Sequence, residues 1–133
     1  MIRVAIVEDD PVYQRQLRQY LERYEAERGQ AFEILTFGSG QEIAYHYDAS
    51  FDIILMDIEM GAVSGMEAAE IIRTMDQDVV IMFITNSPQY AIRGYAVEAL
   101  DYVLKPIAYF AFAERLSRAI ERIGHSGGEG RSV

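Results

Sequence analysis

The chain has 133 residues, of which 50% are hydrophobic, and it carries a formal net charge of −9 and no cysteine. Its length predicts one domain with a substantial core, and its apolar content excludes disorder over most of the sequence. The negative charge argues against nucleic-acid binding by this chain alone, because such binding depends on basic side chains that neutralise phosphates. The absence of cysteine excludes disulfides and thiolate metal sites.

No segment has the properties of a membrane or export signal. Every apolar run is shorter than the roughly 18 residues that a membrane span requires. A strand that starts at Ile2 leaves no room for a signal peptide, so we expect a cytoplasmic protein. The glycine-rich residues 124–133 are expected to be a flexible tail, a linker stub or a cloning remnant, which leaves residues 1–123 as the single domain.

Apolar runs of strand length alternate along the chain with segments of helical periodicity. The runs predict strands at residues 2–7, 32–37, 51–57, 79–84 and 99–104. The periodic segments predict helices at residues 11–29, 41–47, 64–75, 89–94 and 107–123. Ser64 and Glu67 have the spacing of a capping box, and Gly29 is placed to end the first helix.

Two of these helices have a clear apolar face. The face of the first helix carries three tyrosines, which we interpret as packing residues rather than as part of a site; it comprises Tyr13, Leu17, Tyr20, Leu21 and Tyr24. The face of the last helix is expected to be buried and comprises Phe110, Ala113, Leu116, Ile120 and Ile123.

The alternation of strands and helices predicts the fold class. Continuous hydrophobic strands are typical of a sheet that is buried on both faces, and helical crossovers make its strands parallel. The chain is therefore predicted to form a single doubly wound α/β sheet of five parallel strands. In such sheets, ligands bind outside the carboxyl ends of the strands, where the strand order reverses.

The carboxyl ends of the predicted strands carry an unusual set of polar residues. Acids follow the first and third strands, a hydroxyl follows the fourth and a lysine follows the fifth; these residues are Glu8, Asp9, Asp10, Asp57, Thr85 and Lys105. Clustered carboxylates repel one another, and a hard dication with oxygen ligands such as Mg²⁺ relieves that repulsion. A carboxylate can also attack phosphorus to form an acyl phosphate, with the metal and the lysine offsetting the charge.

Four motifs in this order resemble the receiver domain of bacterial two-component response regulators, the CheY-like fold with strand order 2-1-3-4-5. They are Ile6-Val7-Glu8-Asp9-Asp10, Leu55-Met56-Asp57-Ile58, Ile84-Thr85 and Asp101-Tyr102-Val103-Leu104-Lys105-Pro106. The resemblance covers about residues 2–123. Within the family, the segment from Tyr95 to Ile107 looks most like receivers that carry a LytTR DNA-binding domain, and no such domain is present in these 133 residues.

The resemblance implies a role for each site residue. Asp57 would accept a phosphoryl group from a histidine kinase and would also contact Mg²⁺. Asp9 would hold the metal directly, Glu8 through water, and Glu59 through its backbone carbonyl. The protein would not be an enzyme beyond its own phosphorylation and dephosphorylation at Asp57. The bond between Lys105 and Pro106 is commonly cis in this family.

The resemblance also implies a switch and a set of partners. Thr85 and Lys105 would bind the phosphoryl group, and Tyr102 would turn inward as Thr85 moves toward it. Family members commonly dimerise through the face of helix 4, strand 5 and helix 5, for which Ile92, Tyr95 and Tyr109 are candidates. DNA would be contacted only through an absent output domain.

The loop after Asp57 departs from the family pattern. Gly61 stands where proline is usual and Ser64 where an acid is frequent, so we expect a looser loop. Asn86 replaces the usual small residue after the threonine, and Glu59 places an acid near the phosphoryl group. We hypothesise that Asn86 and Glu59 alter the lifetime of phosphorylated Asp57.

Other functions remain open at this point. A stand-alone receiver would act by protein contact and have no DNA-binding output. A phosphatase with an aspartyl-phosphate intermediate would need a second aspartate where Glu59 stands, together with a substrate-binding cap. A nucleotide-binding flavodoxin-like domain would need a glycine-rich or hydroxyl-rich loop after the first strand, where acids stand instead. A receiver-like domain used only for protein contacts would not need the complete set of acids, threonine and lysine.

Overall fold

The computed structural model describes the backbone of residues 1–131 and the side chains of residues 1–124. Its strands are β1 (Ile2–Val7), β2 (Phe32–Phe37), β3 (Ile53–Met56), β4 (Val80–Thr85) and β5 (Asp101–Leu104). Its helices are α1 (Pro11–Arg28), α2 (Gly40–Tyr45), α3 (Gly65–Arg73), α4 (Ala91–Ala96) and α5 (Tyr109–Arg131), with a 3-10 turn at Pro88–Tyr90 before α4. None of the described helices combines the length and the hydropathy needed to cross a membrane.

The strands form one sheet in the order β2-β1-β3-β4-β5, and every neighbouring pair is parallel. This confirms the predicted fold class and strand order. Because β1 and β3 are neighbours at the point where the order reverses, their carboxyl ends form the crevice in which such sheets bind ligands. Every residue of β3 and β4 is buried, as continuous apolar runs predict.

Each face of the sheet is covered by a separate apolar core. Val4, Ile6, Ile53 and Leu55 pack with residues of α1 and α5 on one face. Alternate residues of the same strands point to the other face and pack with α2, α3 and Val97, which follows α4. Side chains that alternate along a strand and are buried on both sides explain the continuous hydrophobic runs.

Local capping sets several helix ends, of which the Gly29 end of α1 and the capping box of α3 were predicted. The Asp10 side chain accepts a hydrogen bond from the Val12 N–H at 2.9 Å, and Pro11 occupies the first turn of α1. Gly29 ends that helix in the left-handed conformation, with φ of 66°. Ser64 and Glu67 form the complete capping box at α3.

The apolar face predicted for α5 is wrong at its first member. Phe110 is 80% exposed, whereas Phe112, which was not predicted to be buried, is fully buried. The helix begins at Tyr109, and its buried stripe runs through Tyr109, Phe112, Ala113 and Leu116. Both faces of the first turn carry an aromatic residue, so the sequence pattern alone left the rotation of the helix ambiguous.

Other element boundaries also differ from the prediction. The β3 ladder is shorter than residues 51–57, although Asp57 donates its N–H to the Val7 carbonyl at 3.0 Å. Helix α4 begins at Ala91, after the 3-10 turn. Helix α5 extends to Arg131, beyond the predicted end near residue 123. A tail, linker stub or cloning remnant was predicted at residues 124–133. The side chains of residues 125–133 and the backbone of residues 132 and 133 lie outside the described part, so this stays a prediction.

Candidate functional site

Asp57 lies at the carboxyl end of β3 with its side chain almost buried. Its Oδ1 accepts a hydrogen bond from the Ile58 N–H at 2.7 Å. The Gly65 N–H, at the start of α3, bonds the Ile58 carbonyl at 2.7 Å. A Cβ atom on Gly65 would lie 1.9 Å from the Asp57 carbonyl oxygen, so only glycine lets α3 begin this close. Asp57 is therefore held from both sides by main-chain contacts.

Lys105 reaches the same place from the end of β5. Its Nζ lies 2.6 Å from Glu8 Oε1 and 3.2 Å from Asp57 Oδ2, and its side chain is only 3% exposed. Lys105 is the sole lysine of the chain, and the peptide bond that joins it to Pro106 is cis. The ammonium therefore bridges the acid after β1 to the acid after β3.

The acids after β1 divide into different roles. Glu8 is buried, and its Oε2 accepts a hydrogen bond from the Asp10 N–H at 3.1 Å. Asp9 is exposed, and one carboxylate oxygen from each of Glu8, Asp9 and Asp57 lies within 4.8 Å of the others. Asp10 is outside this cluster because its side chain caps α1.

The electrostatics of the cluster favour an added cation. Burial raises the pKa of Glu8, and Asp57 adds to that effect, although the hydrogen bonds from Lys105 and Asp10 oppose it. For Lys105, burial alone would lower the pKa, but the hydrogen bond to Glu8 and the charge of Asp57 outweigh it and the pKa is raised. Carboxylate oxygens are the ligands that Mg²⁺ prefers. The donor set of Glu8, Asp9 and Asp57 is consistent with the Mg²⁺ site of a receiver.

Thr85 and Tyr102 are connected through a residue that the sequence did not single out. The Thr85 hydroxyl accepts a hydrogen bond from the Ser87 N–H at 3.2 Å. Tyr102 donates its hydroxyl to the Ser87 carbonyl. Burial raises the pKa of Tyr102. Among the described residues, no carboxylate bonds to the Thr85 hydroxyl, so Thr85 belongs to the rim without a hydrogen bond to Asp57.

Other predicted residues lie near the rim but outside these contacts. The side chains of Glu59 and Asn86 are exposed. Gly61 has a positive φ of 39°, which suits glycine better than proline, and Ser64 caps α3. The structure thus gives Gly61 and Ser64 a role in the local backbone conformation.

Sequence reasoning missed several residues that shape this site. Tyr13 was assigned to helix packing, yet the centroid of its ring lies 3.9 Å from Lys105 Nζ. Gln14 donates its side-chain amide to the Glu8 carbonyl at 2.5 Å. Gly65 and Ser87 act through backbone contacts, for which side-chain chemistry carries no signal. Only the helical phase of Tyr13, directly after the acidic segment, could have pointed to the site.

The matching family model is that of the response regulator receiver domain, over residues 4–117. The chain belongs to the response regulator receiver family. It is 32% identical over 126 residues to the transcriptional regulatory protein NatR of Bacillus subtilis, covering 92% of this chain and 49% of NatR. It is also 32% identical over 108 residues to the sensory transduction protein LytT of Bacillus cereus, covering 80% of this chain and 42% of LytT. The chain thus spans about half the length of the curated relatives it matches.

A solved receiver structure agrees with this assignment. The response regulator TrrA of Thermotoga maritima, in complex with Mg²⁺ and beryllofluoride, is 27% identical, with a TM-score of 0.77. The match covers 90% of this chain and 99% of TrrA. The similarity to LytT and NatR confirms the predicted resemblance to the receivers of LytTR-type regulators.

Proposed function

We propose that this receiver accepts a phosphoryl group on Asp57 from a histidine kinase and thereby switches an output. The observation that carries the proposal is the buried contact of Lys105 with both Glu8 and Asp57, beside the exposed carboxylate of Asp9. Phosphoryl transfer has a role for each of these three acids and for the lysine.

The transfer follows from the position of these groups. An Asp57 carboxylate oxygen forms a bond to phosphorus while the bond from phosphorus to the kinase histidine breaks, and the histidine leaves with the electron pair of that bond. Lys105 already lies 3.2 Å from Asp57, so it can pair with a phosphoryl oxygen after a small movement. Mg²⁺, held by Glu8, Asp9, Asp57 and the Glu59 backbone carbonyl, would supply charge neutralisation. We propose no chemistry beyond this phosphorylation and the hydrolysis that reverses it.

The proposed switch uses the hydrogen bonds around Ser87. If the Thr85 hydroxyl turns to a phosphoryl oxygen, the Ser87 N–H loses its acceptor. The Ser87 carbonyl is also the acceptor for Tyr102, so a shift of this residue reaches the β5 side chain. The switch role of Thr85 and Tyr102 is supported by this shared neighbour.

The proposed output is transcription regulation of the LytTR type. NatR is named as a transcriptional regulator and LytT as a sensory transduction protein, and the chain matches about half of each. DNA contact would then belong to a domain outside these 133 residues, because the net charge of −9 does not suit DNA binding. A stand-alone receiver that acts by protein contact is the alternative.

We also propose a homodimer through α4, β5 and α5. Ile92 and Tyr95 are more than four-fifths exposed, at 83% and 84%, and Leu104 on β5 is 48% exposed. Tyr109, the third predicted candidate, does not belong to this face because it is 7% exposed and its hydroxyl bonds Glu27 of α1. Its place near the start of α5 did not reveal which side of the helix it occupies.

The proposed phosphorylation is tested with acetyl phosphate and Mg²⁺. Mass spectrometry of the intact protein should show one added phosphoryl group in the wild type and none in Asp57→Ala. Asp48→Ala is the matched control, because Asp48 is an exposed aspartate outside the site. Phosphate on another residue, or no modification of the wild type, would overturn the proposal.

The proposed lifetime effect of Glu59 and Asn86 needs a separate measurement. Both side chains are exposed, and Glu59 and Asn86 follow the site residues Asp57 and Thr85 closely in the chain. The decay of phosphorylated Asp57 should change in Glu59→Asn and in Asn86→Ala. Equal decay rates in both variants and in the wild type would contradict it.

A further inference from the structure

Tyr13 is the one aromatic side chain of the α1 face that contacts the proposed phosphorylation site rather than the core. Its ring is half-buried, and among the described residues it is absent from both apolar cores, whereas Leu17, Leu21 and Tyr24 of the same helix belong to the core between α1 and α5. The predicted packing role therefore holds for Tyr24 but not for Tyr13.

The contact of Tyr13 is with the Lys105 ammonium. The Nζ atom lies 3.9 Å from the ring centroid, well inside the roughly 6 Å over which a ring face attracts a cation. An ammonium has three N–H donors. Two have carboxylate acceptors, at 2.6 Å on Glu8 and 3.2 Å on Asp57. The ring of Tyr13 is thus the third partner of a cation whose side chain is 3% exposed.

The first turn of α1 holds this ring in place. Asp10 caps the turn by accepting from the Val12 N–H at 2.9 Å, and the Gln14 N–H bonds the Asp10 carbonyl at 3.0 Å. The Gln14 side chain also bonds the Glu8 carbonyl. The residues on both sides of Tyr13 are therefore tied to the same acidic segment that carries Glu8.

We propose that Tyr13 is a positioning residue that holds the Lys105 ammonium beside Asp57 through the face of its ring. The contact matters because the two acids compete for this lysine. Lys105 must leave Glu8 far enough to pair with a phosphoryl oxygen on Asp57. The ring face carries no formal charge, so it does not compete with the phosphoryl oxygens for the Lys105 ammonium. Its contact with the ammonium remains when the carboxylate contacts rearrange. This inference rests on the proposed phosphorylation of Asp57.

The matched variants are Tyr13→Phe, which keeps the ring face, and Tyr13→Leu, which keeps apolar bulk without it. Tyr45→Leu is the control, because Tyr45 is 62% exposed on α2 and takes no part in the site. Chemical denaturation of each variant establishes that it is folded. Lysine labelled with ¹³C at Cε gives one side-chain signal, because Lys105 is the sole lysine.

The first readout uses the metal-free protein. Protons above a ring face are shielded, so the Lys105 Cε protons should move downfield in Tyr13→Leu and stay near the wild-type position in Tyr13→Phe. The second readout is the affinity for beryllofluoride with Mg²⁺. It should fall about 3- to 10-fold in Tyr13→Leu and be retained in Tyr13→Phe.

An unchanged lysine signal or an unchanged affinity in Tyr13→Leu would overturn the positioning role. Equal losses in the leucine and phenylalanine variants would also overturn it, since the hydroxyl rather than the ring face would then matter. Failure of the wild type to bind beryllofluoride would instead overturn the proposed phosphorylation, and the lysine signal would still report on the contact with Tyr13.

Discussion

Helices α3 and α4 flank the site on the same face of the sheet, yet they are held in different ways. Five of the nine residues of α3 are buried, and a complete capping box begins the helix. Helix α4 has six residues, of which only Gly94 is buried, and no side chain caps its start. Helix α3 is thus fixed by packing, whereas α4 buries little of its surface and has no side-chain cap.

This difference matches the chemistry proposed for each side. Asp57 belongs to the firmly packed side, where the position of a nucleophile must be kept. Thr85 and Ser87 precede the lightly packed α4 and Tyr102 lies against it, so a change in their hydrogen bonds can move this helix at little cost. The distribution of buried contacts therefore separates a part that holds Asp57 from a part that can respond to it.

The largest expected effect is that of Gly65→Ala, which tests the fixed side. The new Cβ would meet backbone atoms of Asp57 and Ile58 at 1.9 to 2.9 Å, and these cannot move without shifting the phosphorylation site. We expect a loss of about 3 kcal/mol in the free energy of unfolding, measured by urea denaturation. Gly124→Ala is the control, since a Cβ there meets no atom within 4 Å. Equal stability of the two variants would mean that α3 is not held as tightly as its contacts indicate.

The next effect concerns Arg73, which anchors the end of α4. Its guanidinium donates to the carbonyls of Val97 at 2.6 Å, Val79 at 2.7 Å and Glu98 at 3.2 Å. We expect Arg73→Ala to cost about 2 kcal/mol, because charged hydrogen bonds to backbone carbonyls are lost, two of them part-buried. Amide hydrogen exchange after α4 should accelerate by more than exchange in β3.

Arg93→Ala is the matched control for that change. Arg93 makes a surface ion pair with Glu70 at 3.3 Å, and both side chains are about half exposed. Such pairs contribute about 0 to 1 kcal/mol. If Arg93→Ala destabilised the protein as much as Arg73→Ala, α4 would be held by its surface contacts rather than by the hydrogen bonds of Arg73.

A smaller effect is expected from Ser64→Ala, which removes the capping box of α3. The Ser64 hydroxyl accepts from the Glu67 N–H at 3.1 Å, and this bond would be lost. The expected cost is about 1 kcal/mol, detected as a lower denaturation midpoint with an unchanged slope. A midpoint equal to that of the wild type would show that packing alone fixes the start of α3.

The smallest effect should come from Ser87→Ala, at the corresponding place before α4. The Ser87 hydroxyl is buried and has no hydrogen-bond partner among the described residues, and the residue acts through its backbone. We expect a change within about 0.5 kcal/mol of zero, because no bond is removed. Thermal unfolding of Ser64→Ala and Ser87→Ala side by side compares the two helices directly. A loss of stability in Ser87→Ala as large as that in Ser64→Ala would mean that the starts of α3 and α4 do not differ in how they are held.

Much of the fold and of the site followed from local patterns. Apolar runs identified every strand, and the acids, threonine and lysine at their ends were assigned to one rim. Gly29 and the pair of Ser64 and Glu67 marked helix ends because capping depends on neighbouring residues only. The structure brings Glu8, Asp57 and Lys105 into direct contact, as the parallel sheet requires.

What tertiary structure decided is the direction in which individual side chains point. Phe110 and Phe112 both suit an apolar helix face, and packing against α1 selects Phe112. Tyr13 and Tyr24 lie on the same predicted helix face, yet Tyr24 packs in the core and Tyr13 contacts Lys105. Sequence periodicity determines that a face exists, but the rotation of a helix against the sheet determines what each residue of that face contacts. The sequence by itself therefore determined the sheet and the residues at its rim, and the packing of α1 on that sheet added Tyr13 to them.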